Sequence, residues 1–526
     1  EISERDLPKI EKEMIKIAKE GHEFKKEEWP TDKAREHFKK EGATYKLELI
    51  DELGDKVGMV FMGDAFLDLC RGGHVKNTKD LPIDAFKLTR VAGAYWRGSE
   101  KNPMLTRVYG IAFKTKKELE EYLKQQEGAE KRDHKKLGRE LGLFTFSELV
   151  GPGLPLFTPK GTIVFKELQR FSENLKREIN FQEVHIPHLA KIDLYKVSGH
   201  AEKFKEDIFY VKGNESEFII KPMNCPHHAQ IFASSPHSYR DLPARFFETT
   251  ATYRDEQTGE LGGLTRVRSI TMDDSHIFAK EDQIEQEFDN IIKQIQKVVS
   301  AFDIKDYTIR LSLRDEKNKK AYLGTDKIWE EAQSIMEKIL KKNKANYFLA
   351  EGEAAFYGPK MDFLIKDSLG REWQISTIQL DLNMPSRFGL EYTDEDGSKK
   401  TPIMIHSAFL GSLERFMGII IEHYAGVFPL WLAPEQIWIV PVSEKFTKYA
   451  AEVAEQLPEL RIVVKTDNET LGKKIREGQL QKIPYLLIVG EKEEKSKKIS
   501  VRDRKKGDLG LSTVKEFAEN VKIELS

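Results

Sequence analysis

Apolar positions repeat along the chain with two periods, and the change of period divides it into blocks. Leu7, Ile10, Met14 and Ile17 recur at three and four residues behind Ser3, which predicts a capped helix over 3–20. Residues 44–113 alternate like an antiparallel sheet. From 116 to 142 the chain is highly charged, with Glu and Lys spaced to pair along one helix, and reads as a solvated connector. Ile163, Leu168, Phe171, Leu175 and Ile179 form the stripe of a helix over 161–179, followed by a strand ending at Pro187. Ile284, Phe288, Ile291, Ile295, Val298 and Phe302 mark a core helix over 281–302, and 326–343 is another. Residues 351–363 and 371–388 read as strands, and 401–424 as a strand ending near His406, then a helix. After PLWLAPEQ (429–436), the order strand, helix, strand, helix, strand, strand, helix predicts a small α/β domain with a mostly parallel sheet.

The most informative stretch is 244–279. Two β-prone runs flank a loop holding Gly259, Gly262 and Gly263, the pattern of a hairpin. Alternate side chains on a strand share a face. Arg266, Arg268, Ile270, Met272, Asp274 and His276 therefore fall on one side, and Val267, Ser269, Thr271, Asp273 and Ser275 on the other. The first face runs from cations through an apolar middle to a carboxylate and an imidazole. That order suits a long ligand with phosphates at one end, to which Arg254 on the first run adds a cation. An exposed hairpin with solvated charges is the plainer reading of two arginines alone.

Composition narrows the class. The 526 residues suggest about three domains, and 33% charged against 39% hydrophobic residues fits a soluble globular protein. No apolar run approaches the roughly 20 residues of a membrane helix, and no secretory signal is present. Two cysteines leave no disulfide framework and fit a reducing, cytoplasmic setting. A formal charge of −2 does not exclude nucleic acid, since local charge governs that. The sequence begins at Glu1 without a methionine, which leads one to expect further residues upstream.

Candidate chemistry is scattered. Cys70 and His74 lie four apart around Gly72 and Gly73, a weak metal or nucleophile signal against a buried Cys beside a surface His. Cys225 with His227 and His228 is as consistent with a metal cluster as with a buried thiol near surface histidines. Cys225, His276 and His406 read as lying on three strands far apart in sequence, so their spacing identifies nothing. An Arg at 415, between Leu413 and Phe416 on an apolar helix, needs an anionic partner.

Several of these motifs together resemble one family. Tyr253, Arg254 and Glu256 in Y-R-x-E, a loop and an Arg-bearing strand resemble the second signature of class II aminoacyl-tRNA synthetases. The helix–strand–Pro at 161–187 resembles the first signature, and GSLERF with Arg415 the third. TRVR…DDSHIF resembles the threonyl-tRNA synthetase family specifically. The fold this implies is an α+β class II catalytic domain, an antiparallel sheet with flanking helices, over 143–432. A C-terminal α/β anticodon-binding domain (433–526) would follow it. A linker helix (116–142) and an N-terminal α+β remnant of the editing domain (1–115) would precede it. The function implied is ATP-dependent activation of L-threonine and its transfer to tRNA(Thr), by a homodimer built through 161–187.

The resemblance also assigns residues. Cys225, His276 and His406 match the family's zinc ligands, and Mg²⁺ would accompany ATP. Arg254, Arg415, His200 and Lys360 would be catalytic, with His200 as base for the transfer step. Glu256, Arg266, Ile270, Gln374 and Thr377 would join Arg254 and Arg415 at ATP. Met223, Met272, Asp274, Tyr357, Gln379 and Ser412 would line the threonine pocket. Cys70 and His74 match half of the editing site; the upstream His pair is missing, since His22 and His37 are fifteen apart. Asn468, Arg476, Glu493 and Arg502 match anticodon readers, types suited to base edges. The family usually has Phe at 270, Gln at 272, Gly at 227, His at 262 and Arg at 407. The departures at 270 and 272 are the best support for the rival reading, a non-catalytic RNA-binding or regulatory relative on the same scaffold, while the retained Arg254, Arg415 and metal trio oppose it. Neither a P-loop nor a class I signature occurs.

Overall fold

The computed structural model describes residues 2–64, 66–99, 101–214, 216–367 and 370–525. They form two compact units that divide between Gly128 and Ala129.

In the first unit the helix Leu7–Glu20 stops at Gly21, which takes the left-handed φ of 83° that glycine tolerates. A three-stranded sheet joins Phe24–Pro30, Lys56–Met62 and Phe66–Leu69. Ala34, Phe38, Ile50, Val57 and Met59 close a small core against it. Phe86–Tyr95 and Met104–Ala112 form a separate two-stranded ribbon. The expectation of one sheet over 44–113 is corrected, because Thr44–Ile50 is a helix. Leu47 and Ile50, three apart, reach the core while Leu49 is exposed, so the helical period prevails over the alternation.

The expected single helix over 116–142 is two, Lys116–Arg132 and His134–Glu140. The break is chemical: the Asp133 side chain accepts from the Lys135 and Lys136 amides and starts a new helix. The second piece is no solvated connector. His134 is buried, its Nδ1 2.7 Å from the Glu422 carboxylate and its Nε2 accepting the Leu264 amide at 3.1 Å.

The second unit is built on an eight-stranded sheet. Its strands, from edge to edge, are Tyr347–Glu351, Tyr307–Leu313, Lys360–Lys366, Glu372–Asp381, Ile403–Ser412, Ser269–Ala279, Ala244–Tyr253 and Gln182–Glu183. All neighbours are antiparallel except the two end pairs. The helices Pro159–Glu178, Ile284–Ala301, Asp326–Lys342 and Leu413–His423 bury their apolar stripes with one face of this sheet, including Ile277, Met361, Phe363, Ile378, Leu380 and Ile405. The stripe on Pro159–Glu178 is therefore spent in this chain's own core. With one face covered by helices, the other is left to carry chemistry.

A second core, from Leu430 to Val521, belongs to the C-terminal part. Its five strands lie in the order Ile462–Val464, Ile437–Pro441, Tyr485–Val489, Ile499–Asp503, Gly507–Ser512. The first two pairings are parallel and the last two antiparallel, so the sheet is mixed rather than mostly parallel. The short connection after Asp503 permits only a hairpin, whereas parallel strands need a crossover. Arg461 fastens this part to the sheet domain, with its guanidinium 3.1 Å from Glu167 and donating to the Ala433 carbonyl at 3.0 Å. Among the described residues no helix is long and apolar enough to cross a membrane.

Candidate active site

The hairpin at 244–279 is the sheet's middle. Ala244–Tyr253 pairs with Ser269–Ala279 without interruption, and the latter pairs with Ile403–Ser412 so that His276 sits opposite His406. Backbone register thus brings together two imidazoles 130 residues apart. Strand alternation then sends Asp273 and Ser275 the other way. Two expectations are corrected. The strand begins at Ser269, so Arg266 and Arg268 lie in the preceding loop rather than on its face. The strand bearing His406 does not end there but runs on to Ser412. Arg268 is structural, donating twice to the Glu256 carbonyl at 3.0 and 2.8 Å.

A cleft of about 580 Å³ opens on the uncovered face. It is lined by Met223, Arg254, Glu256, Arg266, Ile270, Met272, Tyr357, Lys360, Gln374, Thr377, Gln379, Ser412 and Arg415, all singled out from sequence. Lys203, Phe204, Tyr322 and Phe356 also line it and were not foreseen; each looks like ordinary sequence until folded. The arginines differ in what they touch. Arg266 is half exposed and pairs with Glu256 and Glu260 at 2.7 and 2.8 Å. Arg254 makes no ion pair among the described residues; its terminal nitrogen meets the Met223 sulfur at 3.2 Å and its Nε is buried without a partner. Arg415 Nε donates to the Thr265 carbonyl at 2.9 Å, and burial beside Arg254 and Arg266 lowers its pKa. Glu256, the carboxylate in the cleft lining, is engaged by Arg266, so Arg254 and Arg415 are left without an ion pair among the described residues, an arrangement completed by an anionic ligand.

The frame behind them is polar and buried. Asp273, on the opposite face of the strand as alternation places it, is fully buried; its carboxylate accepts the amides of Phe409, Leu410 and Gly411 at 2.8–3.0 Å and the Ser172 hydroxyl at 2.6 Å. Lys176, fully buried on the apolar helix, donates to the Asp273 carbonyl. The strand end so held leads into Ser412, whose hydroxyl caps the helix bearing Arg415 by accepting the Arg415 amide at 3.2 Å. Glu414 reaches back to the Thr271 amide and hydroxyl at 2.9 and 2.7 Å, and burial lifts its pKa to about 7.

Behind the cleft wall, next to the lining residue Tyr357, Cys225, His276 and His406 converge. One donor atom from each lies within 4.8 Å of the others, and all three residues are buried. The expectation of a strand for Cys225 is corrected: it opens the helix Cys225–Ala233, whose first turn holds Pro226 in a position where no amide donor is needed. Tetrahedral zinc holds such donors about 3.5 Å apart, so the trio needs to close by only about an ångström. Burial and the Asp274 and Asp381 carboxylates push the thiol well up, which a bound cation reverses. Burial pushes His276 well down, keeping it neutral as a ligand must be. The residues present fit a metal ion. Between trio and arginines lie Asp274, held by the Asn224 amide at 2.8 Å, and Tyr357, which donates to Gln379 Oε1 at 2.5 Å and stacks on His406.

The remaining expected residues fall as follows. His200 is fully buried and does not line the cleft; its Nε2 is 3.8 Å from the Cys225 sulfur and its Nδ1 2.8 Å from Ser198. It therefore backs the thiol. Cys70 and His74 do meet, Sγ to Nε2 at 3.1 Å, within the first unit. Asn468 and Arg476 are exposed and Arg502 half-buried. The Glu493 carboxylate accepts the Gly490 amide at 3.0 Å and so caps a helix.

Burial holds His200 and His228 down at about 3 and His227 at about 4. Unfolded, each takes its proton near 6.5. Stability from these rings is complete above pH 6.5 and is lost as pH falls towards 3, because only the unfolded chain protonates. Thermal melts from pH 7 to 4 are expected to fall steeply, and less steeply when His227 is replaced by Gln. Parallel curves would contradict the burial argument.

An open antiparallel sheet with helices behind, arginines on its free face and the signature helix bearing Arg415 define a class II aminoacyl-tRNA synthetase core. Comparison with known proteins agrees and is finer. Residues 203–424 match the tRNA synthetase class II core domain (G, H, P, S and T), 436–524 an anticodon binding domain, and 57–109 the threonyl and alanyl tRNA synthetase second additional domain. A threonine–tRNA ligase of Gloeobacter violaceus is 49% identical over 97% of this chain and 83% of its own. One of Porphyromonas gingivalis is 46% identical over 100% and 81%. The RNA binding domain of a Cryptosporidium parvum threonyl-tRNA synthetase superposes with TM-score 0.71 at 36% identity, covering 74% of this chain and 98% of that one. The chain belongs to the threonine–tRNA ligase family.

Proposed function

We propose that this protein activates L-threonine with ATP and transfers it to the 3′ end of tRNA(Thr). The observation that carries the reading is a buried Cys/His/His focus set directly behind a cleft that holds Arg254 and Arg415, with Tyr357 lining the cleft and stacking on His406. In the first step a threonine carboxylate oxygen attacks the α-phosphorus of ATP, and the bond to the bridging oxygen breaks to release pyrophosphate. Arg254 neutralises charge growing on the α-phosphate, while Arg266 and Arg415 hold the outer phosphates with Mg²⁺. In the second step the terminal ribose hydroxyl attacks the adenylate carbonyl and AMP leaves. His200, as base, would have to be uncovered by tRNA. Gln374 and Thr377 flank the adenylate; Asp274, Tyr357, Gln379, Met223, Met272 and Ser412 enclose the amino acid.

Cys225, His276 and His406 would hold zinc, which when bound ligates the amino and hydroxyl groups of threonine and so rejects valine. Serine differs by only a methyl, worth about 1–3 kcal/mol, which gives the Cys70–His74 remnant its editing context. Asn468, Arg476, Glu493 and Arg502 are proposed anticodon contacts, within the domain plan of 1–115, 116–142, 143–432 and 433–526. A cytoplasmic homodimer through 161–187 is part of the same reading. The buried stripe gives it no support, but exposed Phe146, Leu149, Val150, Leu156 and Leu189 around that region do.

Pyrophosphate exchange with threonine, serine and valine, together with metal analysis, tests the whole. Exchange with threonine and serine but not valine, with about one zinc per chain, is expected. Absence of exchange would favour the RNA-binding alternative. Ile270 lines the cleft where an aromatic ring would stack on adenine. Ile270→Phe is therefore expected to lower the KM for ATP by about 3- to 10-fold. An unchanged KM would remove adenine from that wall.

A further inference from the structure

We propose that His228 is a positioning residue for the metal centre: its Nδ1 accepts the Nδ1–H of His276 and fixes the tautomer whose Nε2 is free to bind metal. The inference rests on the reading that the trio holds zinc.

His228 lies three residues after Cys225 on the helix Cys225–Ala233, so the element that supplies the thiol also supplies this ring. It is fully buried. Its Nδ1 is 2.8 Å from His276 Nδ1, with the rings 4.7 Å apart and nearly perpendicular at 86°. This is the ring's one polar contact among the described residues, because its Nε2 is buried without a partner.

Two nitrogens at that distance share one hydrogen, and the choice of donor decides everything. If His228 donates, His276 carries its own proton on Nε2 and presents no lone pair to an ion. If His276 donates, its Nε2 lone pair is free and the proton of His228 moves to the partnerless Nε2. Only the second arrangement lets His276 ligate. His406 is similarly engaged on one side, its Nε2 3.3 Å from an Asp381 oxygen whose neighbour accepts the Asn383 and Met384 amides at 2.7 and 2.8 Å. Each imidazole of the trio thus has one nitrogen held by the protein and one left over. Partners of this kind orient a ligand and raise its basicity, and losing one costs about 10- to 100-fold in metal affinity.

The test uses the full chain with His228→Leu, which removes the acceptor, and His228→Asn, whose side-chain oxygen can occupy the place of Nδ1. Zinc affinity is read by competition with a chromophoric chelator, and geometry by the visible spectrum after cobalt substitution. His228→Leu is expected to bind zinc about 10- to 100-fold more weakly with an altered cobalt spectrum, and His228→Asn to stay near the parent in both. His228→Leu matching the parent, or His228→Asn falling as far as His228→Leu, overturns the proposal while leaving the zinc reading intact. A parent chain that binds no zinc overturns both. Should either variant fail to fold, a crystal structure of the zinc-loaded parent decides. Zinc on His276 Nε2 with Nδ1 against His228 sustains the assignment, and zinc on Nδ1 refutes it.

Discussion

His276→Ala is expected to abolish zinc binding and, with it, any preference for threonine over valine. His276 is buried at the sheet's centre, paired in register with His406, and shares a 4.8 Å focus with it and Cys225. A thiol and one imidazole left behind cannot complete a tetrahedral site with an open position. The loss falls on selectivity because of what an apolar pocket can do unaided. Threonine and valine are near-isosteres, and shape alone separates such a pair by only about 10². A site that must engage the hydroxyl rejects its absence by about 10⁴ or more. The parent is thus expected to exchange pyrophosphate with threonine at least about 10⁴-fold more efficiently than with valine. In His276→Ala that ratio should collapse, with threonine kcat/KM down by about 10³-fold or more, since binding and orientation are lost together. Zinc content after dialysis against chelator accompanies the kinetics. A variant that keeps its metal, or that loses it while still preferring threonine as before, would contradict the assignment.

Arg254→Gln is expected to lower kcat for adenylate formation by about 10²–10³-fold, the usual cost of one donor aimed at developing charge. Among the described residues this guanidinium has no ion pair, and its Nε is buried and unpartnered. No carboxylate among the described residues pairs with it, so the proposed counter-charge is the phosphate at the reacting end of the cleft. Glutamine keeps much of the shape and removes the charge. Because the contact tightens as charge grows on the α-phosphate, kcat and kcat/KM should fall together while the KM for threonine barely moves. Arg254→Lys should recover little, since a compact ammonium does not replace a planar fork. A kcat within about tenfold of the parent would place the reacting phosphate elsewhere.

Arg266 illustrates why the two arginines are not equivalent. Both were legible as cations near a nucleotide. Arg266, however, belongs to a loop rather than to the strand and is already paired with Glu256 and Glu260. The strand period extends through 266–268 in sequence, but the backbone leaves the sheet where Gly153 accepts the Arg268 amide at 2.8 Å. A distant segment's carbonyl ended the strand, and local alternation carries no trace of it. The same holds for Lys176, a charge inside an apolar stripe whose partner is a carbonyl 97 residues away.

The chain's own residues determined the major element types, the hairpin, the arginines that line the cleft and, through resemblance, the family. Those are properties of local period and of motifs whose members stand close together. Folding decided what depends on distant backbone meeting backbone. It placed His276 across from His406, set Asp273 beneath the irregular strand end that leads to Arg415, and put His228 against His276. It also withdrew His200 from the cleft. The reason is physical: period is set by each residue's immediate neighbours, whereas register and buried polar pairing are settled only when strands far apart in sequence lie side by side.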